Sequence, residues 1–382
     1  MGEPVRLVRE RELRDIVTLS KEGPLSISLR YPKEIELRGR ISPDLIDEIS
    51  RSKGEPEWMR LLRRRALEMF EKLPMPNWLE GVESIDLDEI ASYVRPSVQA
   101  AESWEDLPDW MREAYSKLGL PEAEGKVLSG LTAVFDSENV ITRVKEELKK
   151  KNVIFLPMDE AVKRYPDLVK EYFGRVFPMA DHKFAALHYA LWSGGAFVYL
   201  PPGARVVNPV EAFFLIGGEL EGQFEHTLIV ADRESYIHFI EGCAAPVLKK
   251  FSFHDGMVEI YAKERSEVHF STIQNWSGSI VNFNNKRAIA EAGATVEWVE
   301  GSIGSRITFT YPSTVLKGEG ASTKNISIGI ANGPGKIKDV GAKAVHAAPN
   351  TRSLIISKSI SAGGGVATYR GLVKVLRGAK GS

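Results

Sequence analysis

The residue of this sequence most suited to covalent chemistry is Cys243, the only cysteine among 382 residues. A cysteine thiolate is a strong nucleophile, whereas a protonated and buried thiol behaves as a small apolar side chain. A single cysteine excludes an intramolecular disulfide and any thiolate cluster supplied by this chain alone. Cys243 is therefore either a reactive thiol or a core residue, and its surroundings decide between the two.

Three other side chains are candidates to act on that thiol. Gln274 and Trp276 can donate hydrogen bonds to an anionic sulfur. The ammonium group of Lys286, if it lies close by, would lower the pKa of the thiol and favour the thiolate. The competing interpretation is an internal polar ladder, in which Gln274 and Lys286 serve only the fold. The candidate site consists of these three residues and Cys243.

One short pattern occurs three times in the middle of the chain, at residues 234–239, 265–270 and 293–298. Each copy has a small or hydroxyl residue two positions before a branched aliphatic residue and an aromatic residue two positions after it. The matched aliphatic residues Ile237, Val268 and Val296 are 31 and then 28 residues apart. A weaker copy, with Thr323 at this position, follows 27 residues later.

These copies predict how the candidate site is assembled. Alternation with a period of two residues predicts β-strands, and recurrence at this spacing predicts units that stack on one another. Stacking would bring Cys243 close to Gln274. His238 and His269 would also lie in neighbouring rungs, but on an outward face they are expected to be a solvated pair. We therefore expect no metal site on this chain.

The length of the chain exceeds what one compact core usually supports, so two domains or a solenoid are expected. Residues 1–178 are predicted to form an N-terminal, mostly α-helical (α+β) domain. Residues 179–382 are rich in short alternating strands broken by glycine and proline, which fit a sandwich, a barrel or a β-helix. The repeat favours the last, so the predicted fold is mainly β, with a right-handed parallel β-helix (solenoid) core.

Several N-terminal segments carry local structure signals. Arg63, Arg64 and Arg65, with acidic residues interleaved, indicate a solvated helix face. Helices are expected after Pro56, from Asp106 to Gly119, near Ser137–Lys151 and over Phe184–Leu191, and a strand over Val153–Leu156. The apolar stripe of the first of these helices is expected to contain Trp58, Leu61, Leu62, Arg65 and Met69.

Composition excludes several classes of function. Fifty basic and fifty-one acidic side chains leave a formal net charge of -1, which gives no general signal for nucleic acid or an anionic membrane. The sequence contains no apolar run of membrane-spanning length, and residues 1–6 do not resemble a signal peptide. We expect a cytoplasmic protein that binds neither nucleic acid nor membrane.

Common catalytic motifs are also missing: HExxH, GxxxxGK[ST], GxSxG and CxxC do not occur. A solenoid alone would permit a carbohydrate-acting β-helix enzyme. Such an enzyme needs paired carboxylates, or a basic residue beside a metal, on one solvent-facing sheet. The acidic residues that recur near the repeats are instead expected at turns, where they would only be solvated: Asp232, Glu234, Glu264 and Glu291.

The most specific motifs of the sequence are E-G-C-A-A-P, S-T-I-Q-N-W and N-F-N-N-K-R, at residues 241–246, 271–276 and 282–287. These stretches resemble the SufB/SufD family of iron–sulfur cluster assembly scaffolds, and its SufB members in particular. N-V-I-F-L-P-M-D and the stretch beginning D-H-K-F-A-A-L-H-Y-A, at residues 152–159 and 181–190, are similar to the family's N-terminal region. The resemblance covers the chain from about Asp109 onward.

The resemblance implies a non-enzymatic scaffold of the SUF system. Its partners would be the ATPase SufC, SufD or a second SufB, and a cysteine desulfurase with its sulfur carrier. Cys243 would accept persulfide sulfur, and Gln274, Trp276 and Lys286 would line the sulfur path. An iron–sulfur cluster would be bound transiently, in the complete complex only, and none is expected on this chain alone. A SufD-like structural partner that accepts no sulfur is the alternative within the family.

Two departures from the family pattern stand out. Where the family has a polar F-R-I-N strand, residues 214–217 read Phe-Leu-Ile-Gly, so a contact to the sulfur path is expected to be missing there. Members of the family have a second functional cysteine, a His-Glu pair and a helical domain that docks SufC beyond the position equivalent to Ser382, and this sequence contains none of them. We therefore expect the C-terminal helical domain to be absent from this chain and its last rung to be open.

Overall fold

The structure, a computed structural model, describes residues 31–101, 103–118 and 128–382. Two mainly parallel sheets face each other and form a β-helix, with helices from the N-terminal half of the chain packed on one outer face. This arrangement confirms the predicted fold class. Among the described residues, no helix is both long enough and apolar enough to cross a membrane.

The strands that build the β-helix begin well before residue 178. In chain order all strands are β1 (Lys33–Arg38), β2 (Ala91–Pro96), β3 (Gly130–Phe135), β4 (Glu138–Val144), β5 (Ile154–Pro157), β6 (Ala196–Leu200), β7 (Val210–Leu215), β8 (Gly222–Gln223), β9 (His226–Ala231), β10 (Tyr236–Ala244), β11 (Ser252–Ala262), β12 (Glu267–Trp276), β13 (Ile280–Ala290), β14 (Thr295–Gly304), β15 (Ile307–Thr310), β16 (Ser313–Leu316), β17 (Ser322–Asn332), β18 (Ile337–His346), β19 (Arg352–Ala362) and β20 (Val366–Val375).

The first sheet has the order β19-β17-β14-β12-β10-β7-β3-β4, and the second contains β15-β18-β16-β13-β11-β9-β6-β5 with β8 and β20 attached. β1 and β2 form a separate antiparallel pair. Because β3, β4 and β5 belong to the two main sheets, both sheets extend to the N-terminal side of residue 178. The domain boundary between residues 178 and 179 stays a prediction.

The repeat predicted from the sequence is confirmed by the strand register. Ile237 lies opposite Val268, Val268 opposite Val296, and Val296 opposite Thr323 of the weaker copy. All three aliphatic side chains are fully buried between the sheets. The aromatic positions stack as well, with the rings of Phe239 and Phe270 5.5 Å apart and nearly parallel. Apolar contact between equivalent residues thus holds neighbouring rungs in register.

The first residue of every copy occupies the same unusual backbone conformation. Glu234, Arg265, Gly293 and Gly320 all have positive φ values, between 56° and 73°, at the turn that precedes the strand. Asn350 repeats this feature, with φ 59°, before β19. Glycine reaches this region without strain and other residues less readily. A left-handed residue at a fixed place in each rung therefore turns the chain from one sheet into the other.

The helices are α1 (Pro43–Lys53), α2 (Glu57–Lys72), α3 (Asp109–Leu118), α4 (Glu146–Lys150), α5 (Met158–Arg164), α6 (Pro166–Tyr172) and α7 (Lys183–Leu191), with a 3₁₀ turn at Val82–Ser84. The helices predicted after Pro56, after Asp106 and over 184–191 are confirmed, as is the strand near 153–156. The expected stop at Gly119 lies outside the described residues.

The helix expected near Ser137–Lys151 is wrong in its larger part. Residues 138–144 form β4, which pairs antiparallel with β3, and only Glu146–Lys150 is helical. Residues 138–144 contain Val140, Ile141 and Val144, whose branched side chains favour strands once a partner strand is available. That partner is fixed by the tertiary fold and is not visible in the local sequence.

The buried face of α2 also differs from the expected stripe. Met59, Arg63, Ala66 and Leu67 are buried, whereas Leu61 is 52% exposed and Arg65 points outward. The face expected to be solvated therefore includes a fully buried arginine. The guanidinium of Arg63 is held there by Glu55 and by the carbonyl oxygens of Ala190 and Trp192.

Candidate functional site

The predicted neighbours Cys243 and Gln274 lie side by side between the two sheets. Cys243 on β10 is in register with Gln274 on β12, and both side chains are buried. The amide nitrogen Nε2 of Gln274 is 3.2 Å from Cys243 Sγ and 3.0 Å from Glu241 Oε1. Because residues two apart on a strand share a face, Glu241 and Cys243 both point into the interior. The structure thus brings a thiol, an amide and a carboxylate together.

Trp276 fixes which way the Gln274 amide points. Its indole Nε1, which can only donate, lies 2.7 Å from Gln274 Oε1. The amide oxygen of Gln274 therefore accepts from Trp276, and its NH₂ group faces the sulfur. Trp276 acts on the thiol through Gln274, since no direct hydrogen bond joins its indole to Cys243 among the described contacts.

Lys286 reaches the same interior from the opposite sheet. Its Nζ is 3.5 Å from Glu241 Oε1 and 3.8 Å from Glu300 Oε2, and all three side chains are buried. Lys286 also lies over the ring of Phe270, 5.5 Å from its centre. The ammonium therefore compensates two buried carboxylates rather than pairing with the thiol alone.

The protonation state of Cys243 differs from the expectation based on Lys286. Burial raises the pKa of the thiol well above its usual range, and the negative charges of Glu241 and Glu225 raise it further. Lys286 and the hydrogen bond from Gln274 act in the predicted direction, but they are outweighed. At rest Cys243 is thus a protonated thiol, and forming a thiolate requires a further positive charge or a proton acceptor.

Two further residues near the thiol were missed by sequence reasoning. Glu225 and His254, both buried, meet with His254 Nε2 2.7 Å from Glu225 Oε1. One ligand atom from each of Glu225, Cys243 and His254 lies within 4.8 Å of the other two. No metal site was expected from the sequence, because the only ligands considered there were His238 and His269 on the outer face. Only the second sheet brings them to the thiol.

The histidines of the repeat are adjacent, as predicted. His238 and His269 are paired across β10 and β12, with ring centres 6.2 Å apart. His238 Nε2 is 2.9 Å from Ser271 Oγ, and His269 Nε2 is 2.8 Å from Glu267 Oε1. Each ring therefore has its own partner on the half-buried outer face of the sheet. No further acidic or thiol ligand joins them among the described residues.

The departure at residues 214–217 has a clear structural result. Phe214 on β7 is in register with Cys243 and fully buried, so an aromatic ring lies on the N-terminal side of the thiol. The backbone N–H of Gly217 donates to Asp136 Oδ1 at 2.8 Å, outside the interior row that contains Cys243. The polar contacts of Cys243 thus extend toward β12 and β11 and not toward β7.

Acidic residues at the turns do not form a carbohydrate site of the kind considered above. Glu234 pairs with Arg265 at 2.6 Å, and Asp232 with Lys263 at 3.3 Å. These are ion pairs at the edges of rungs, where the carboxylates are solvated or neutralised. The alternative of a β-helix carbohydrate-acting enzyme gains no support from these residues.

Lys338 on β18 is a second buried lysine of the interior, nearer the C-terminal rungs. Its Nζ donates to Thr308 Oγ1 at 3.1 Å and also to the Gly304 carbonyl and Ser305 Oγ. Burial lowers the pKa of Lys338 to about 7, and the positive charge of Lys336 adds to this effect. Unlike Lys286, this ammonium has no carboxylate among its described partners.

We expect Lys338 to make the free energy of unfolding increase with pH from about 7 to about 10. In this window the unfolded chain, with lysine pKa values of about 10.4, still holds the proton that folded Lys338 has released, so raising the pH favours folding. The slope is at most about 1.4 kcal/mol per pH unit. Urea unfolding at about pH 7.5 and about pH 9 should give a larger increase for the wild type than for Lys338→Met, by about 1–2 kcal/mol.

The matched control is Lys324→Met. Lys324 forms a partly exposed pair with Glu297 at 3.2 Å, so its removal should leave the pH slope of the wild type unchanged. Equal slopes for the wild type and Lys338→Met would show that Lys338 keeps an ordinary lysine pKa in the folded chain.

Two family descriptions match consecutive parts of the chain. The SufBD protein N-terminal region matches residues 47–212, and the SUF system FeS cluster assembly SufBD core domain matches residues 214–382. Together they span most of the chain, and the core match contains Cys243, Gln274, Trp276 and Lys286.

Individual relatives agree with these matches. The chain is 45% identical over 342 residues to the iron–sulfur cluster assembly protein SufB of Bacillus subtilis (strain 168). The aligned residues cover 90% of this chain and 73% of that protein. The chain is 44% identical, with the same coverage of both chains, to an iron–sulfur cluster assembly SufBD family protein of Staphylococcus aureus (strain MRSA252). The parallel β-helix, the buried thiol and these similarities together show that the chain belongs to the SufBD family of SUF-system iron–sulfur cluster assembly proteins.

Proposed function

We propose that this chain is a scaffold of iron–sulfur cluster assembly that accepts sulfur on Cys243. The observation that carries the proposal is the 3.2 Å contact between Gln274 Nε2 and Cys243 Sγ inside the β-helix. A donor amide held by Trp276 stabilises an anionic sulfur species more than a neutral thiol. Gln274, Trp276 and Lys286 are thus the residues that position and stabilise sulfur at this site.

The transfer itself needs no external oxidant. The sulfur of Cys243, after losing its proton, attacks the outer sulfur of a persulfide on the donor protein. The S–S bond of the donor breaks, a new S–S bond forms on Cys243, and the donor leaves as a thiolate that takes up the proton. One sulfane sulfur moves between two thiols, and the total oxidation state is unchanged.

The burial of Cys243 places a condition on this step. The thiol is only 2% exposed, so a donor cannot reach it without a local opening. β10 ends at Ala244, directly after Cys243, and the loop that follows is exposed at Val247, which is 59% accessible. We propose that docking of a sulfur carrier displaces this loop, which lies outside both sheets and can move without breaking a rung.

Membership of the SufBD family supports a proposal for the remaining partners. We propose a complex with the ATPase SufC and with SufD or a second copy of this chain, working in the cytoplasm as a scaffold and not as an enzyme. Protein-bound clusters are usually held by about four ligands, mostly thiolates, and this sequence supplies one cysteine. A cluster would therefore be bound transiently and with ligands from more than this stretch of chain.

Sulfur acceptance is tested by incubating the chain with a cysteine desulfurase, its sulfur carrier and cysteine. The intact mass of the wild-type chain should increase by one sulfur atom, and reduction with dithiothreitol should remove it. Cys243→Ser should show no increase, because the chain has no other cysteine. If the Bacillus subtilis relative is loaded under the same conditions and this chain is not, the proposal is wrong and a structural partner role is favoured.

A further inference from the structure

The hydrogen bonds around His254 determine which of its ring nitrogens carries a proton. Trp276 Nε1 can only donate, so Gln274 Oε1 is an acceptor. Asn282 Nδ2, 3.3 Å from the same oxygen, is then a donor. Asn282 Oδ1 therefore faces His254 Nδ1 at 2.7 Å, and His254 must donate to it through Nδ1. Asn284 supports this orientation by donating to Asn282 Oδ1 at 2.8 Å.

This orientation leaves a lone pair on His254 Nε2 pointing at a carboxylate. Nε2 lies 2.7 Å from Glu225 Oε1, and two acceptor atoms at that distance repel each other unless a proton or a cation lies between them. The second oxygen of Glu225, Oε2, is buried and has no hydrogen-bond partner among the described residues. Both observations point to a positively charged species that is shared by Glu225 and His254.

The third group at this place is Cys243. One ligand atom from each of Glu225, Cys243 and His254 lies within 4.8 Å of the others, and the three side chains are at most 2% exposed. Four-coordinate metal sites with bond lengths of about 2.0–2.3 Å have ligand atoms roughly 3.3–3.8 Å apart. Small side-chain shifts therefore suffice to close the three groups around one ion.

The backbone leaves room for these ligands. A Cβ at Gly256, two residues after His254 on the same strand, would lie 2.4 Å from Glu225 Oε1 and 3.0 Å from the Cε1 carbon of His254. Trp276 packs against the imidazole, with ring centres 4.4 Å apart. Asn282 holds its other nitrogen, as outer partners of metal-bound histidines do. The side chains are thus pre-positioned by neighbours that do not themselves bind an ion.

Charge also favours a cation here. Glu225, Glu241 and Glu300 place three carboxyl groups in this part of the interior, and the described ion pairs supply the single ammonium of Lys286 against Glu241 and Glu300. Glu225 pairs only with the His254 ring among the described ion pairs. A divalent ion would compensate the remaining negative charge and would allow the thiol to lose its proton.

We propose that Glu225, Cys243 and His254 bind one divalent transition-metal ion, and that in the cell this ion is ferrous iron supplied as a substrate of cluster assembly. A thiolate, an imidazole and a carboxylate suit iron, cobalt or zinc better than magnesium or calcium. The site rests on the geometry above, whereas the identity of the ion rests on the proposed function. Three protein ligands leave a fourth position open, as in sites where the metal meets a substrate.

Cobalt is the probe that tests the site, because Co²⁺ bound to a thiolate absorbs in the near ultraviolet and gives visible bands in a four-coordinate site. Anaerobic titration of the full chain with Co²⁺ should show these bands with one ion per chain, and Fe²⁺ in large excess should displace them, because such sites bind Fe²⁺ less tightly than Co²⁺. Cys243→Ser should lose the thiolate band. Glu225→Gln and His254→Gln should weaken binding at least tenfold.

The control is His238→Gln. His238 lies on β10, the strand that contains Cys243, but on its outer face. The His238→Gln chain should therefore bind Co²⁺ as the wild type does. A measurement without any substitution guards against misfolded variants: Co²⁺ should slow alkylation of Cys243 by iodoacetamide in the wild type. Absence of both the thiolate band and this protection, or equal affinity in all three histidine and glutamate variants, would overturn the inference.

The outcomes separate this inference from the proposed function. If the wild type accepts sulfur without added metal but gives no thiolate band on titration with Co²⁺, the metal site is wrong and sulfur acceptance stands. If the band appears but no sulfur is accepted, the metal site stands and the proposed function is wrong. A proton shared by Glu225 and His254, instead of an ion, corresponds to the first of these results.

Discussion

Lys286→Met is expected to destabilise the chain by about 3–5 kcal/mol, which is the usual effect of removing one partner from a buried ion pair. The Lys286 ammonium lies 3.5 Å from Glu241 and 3.8 Å from Glu300, and all three side chains are at most 3% exposed. Methionine fills a similar volume but leaves both carboxylates without compensation in a medium that solvates charge poorly. Urea unfolding followed by circular dichroism measures the difference.

Two further variants make this result specific to charge. Adding Glu241→Gln and Glu300→Gln to Lys286→Met should recover part of the lost stability, because the two carboxylates that Lys286 compensates are then replaced by neutral amides. Lys324→Met removes a partly exposed lysine and should change the free energy of unfolding by no more than about 1 kcal/mol. A Lys286→Met chain as stable as the wild type would show that the carboxylates do not depend on this ammonium.

Arg63→Ala is expected to destabilise the chain by a similar amount, about 3–5 kcal/mol. The guanidinium is fully buried and binds Glu55 through two hydrogen bonds, of 2.6 and 2.8 Å. It also donates to the carbonyl oxygens of Ala190 and Trp192, at 3.0 and 2.7 Å, where α7 ends. Alanine would leave Glu55 and two helix-terminal carbonyl groups without these donors, and would remove the contact with the Trp192 ring.

Arg65→Ala is the matched control for this prediction, since Arg65 is on the same helix and exposed. Its effect should stay within about 0.5 kcal/mol. Thermal or urea unfolding of the two variants under one set of conditions gives the comparison. Equal loss of stability in both would mean that the helix as a whole, and not the Arg63 contacts, determines the effect.

The strands of the β-helix could be predicted because their signal is local. Alternating side chains at Ile237, Val268 and Val296 specify both the strand and its buried face, and stacking of identical faces follows from the repeat. The proximity of Cys243 and Gln274 followed in turn, because residues at equal offsets from the pattern lie in neighbouring rungs.

The rest of the site depends on contacts between the two sheets, and the repeat contains no information about these. Glu225 lies just before β9 and His254 lies on β11, so both reach the thiol from the second sheet. The repeated pattern marks β10, β12 and β14, which all belong to the first sheet. Glu300 was within reach of sequence reasoning, since it follows Glu241 and Thr272 at the equivalent position of the next copies. The buried Arg63 was missed for another reason: its burial depends on the end of a helix more than a hundred residues away.

The net effect on the thiol could not be predicted from residue types. Lys286 does lower the pKa of Cys243, as expected, but burial and two carboxylates raise it by more. Desolvation depends on how completely the rungs close over a side chain, and only the folded structure shows this. Cys243 therefore needs a proton acceptor or a further positive charge nearby before it forms a thiolate.

The contact between Gln274 and Cys243 is proposed to form the sulfur-accepting centre. The rate of sulfur transfer to Cys243 in a Gln274→Ala chain tests this claim most directly. A hydrogen bond to a charged group contributes about 1.5–3 kcal/mol, so its loss should slow the gain of one sulfur atom roughly tenfold to a hundredfold. Asn275→Ala changes the next residue of the same strand, on the opposite face, and should load at the wild-type rate. Equal loading rates for the wild type, Gln274→Ala and Asn275→Ala, with all three chains folded, would contradict the claim.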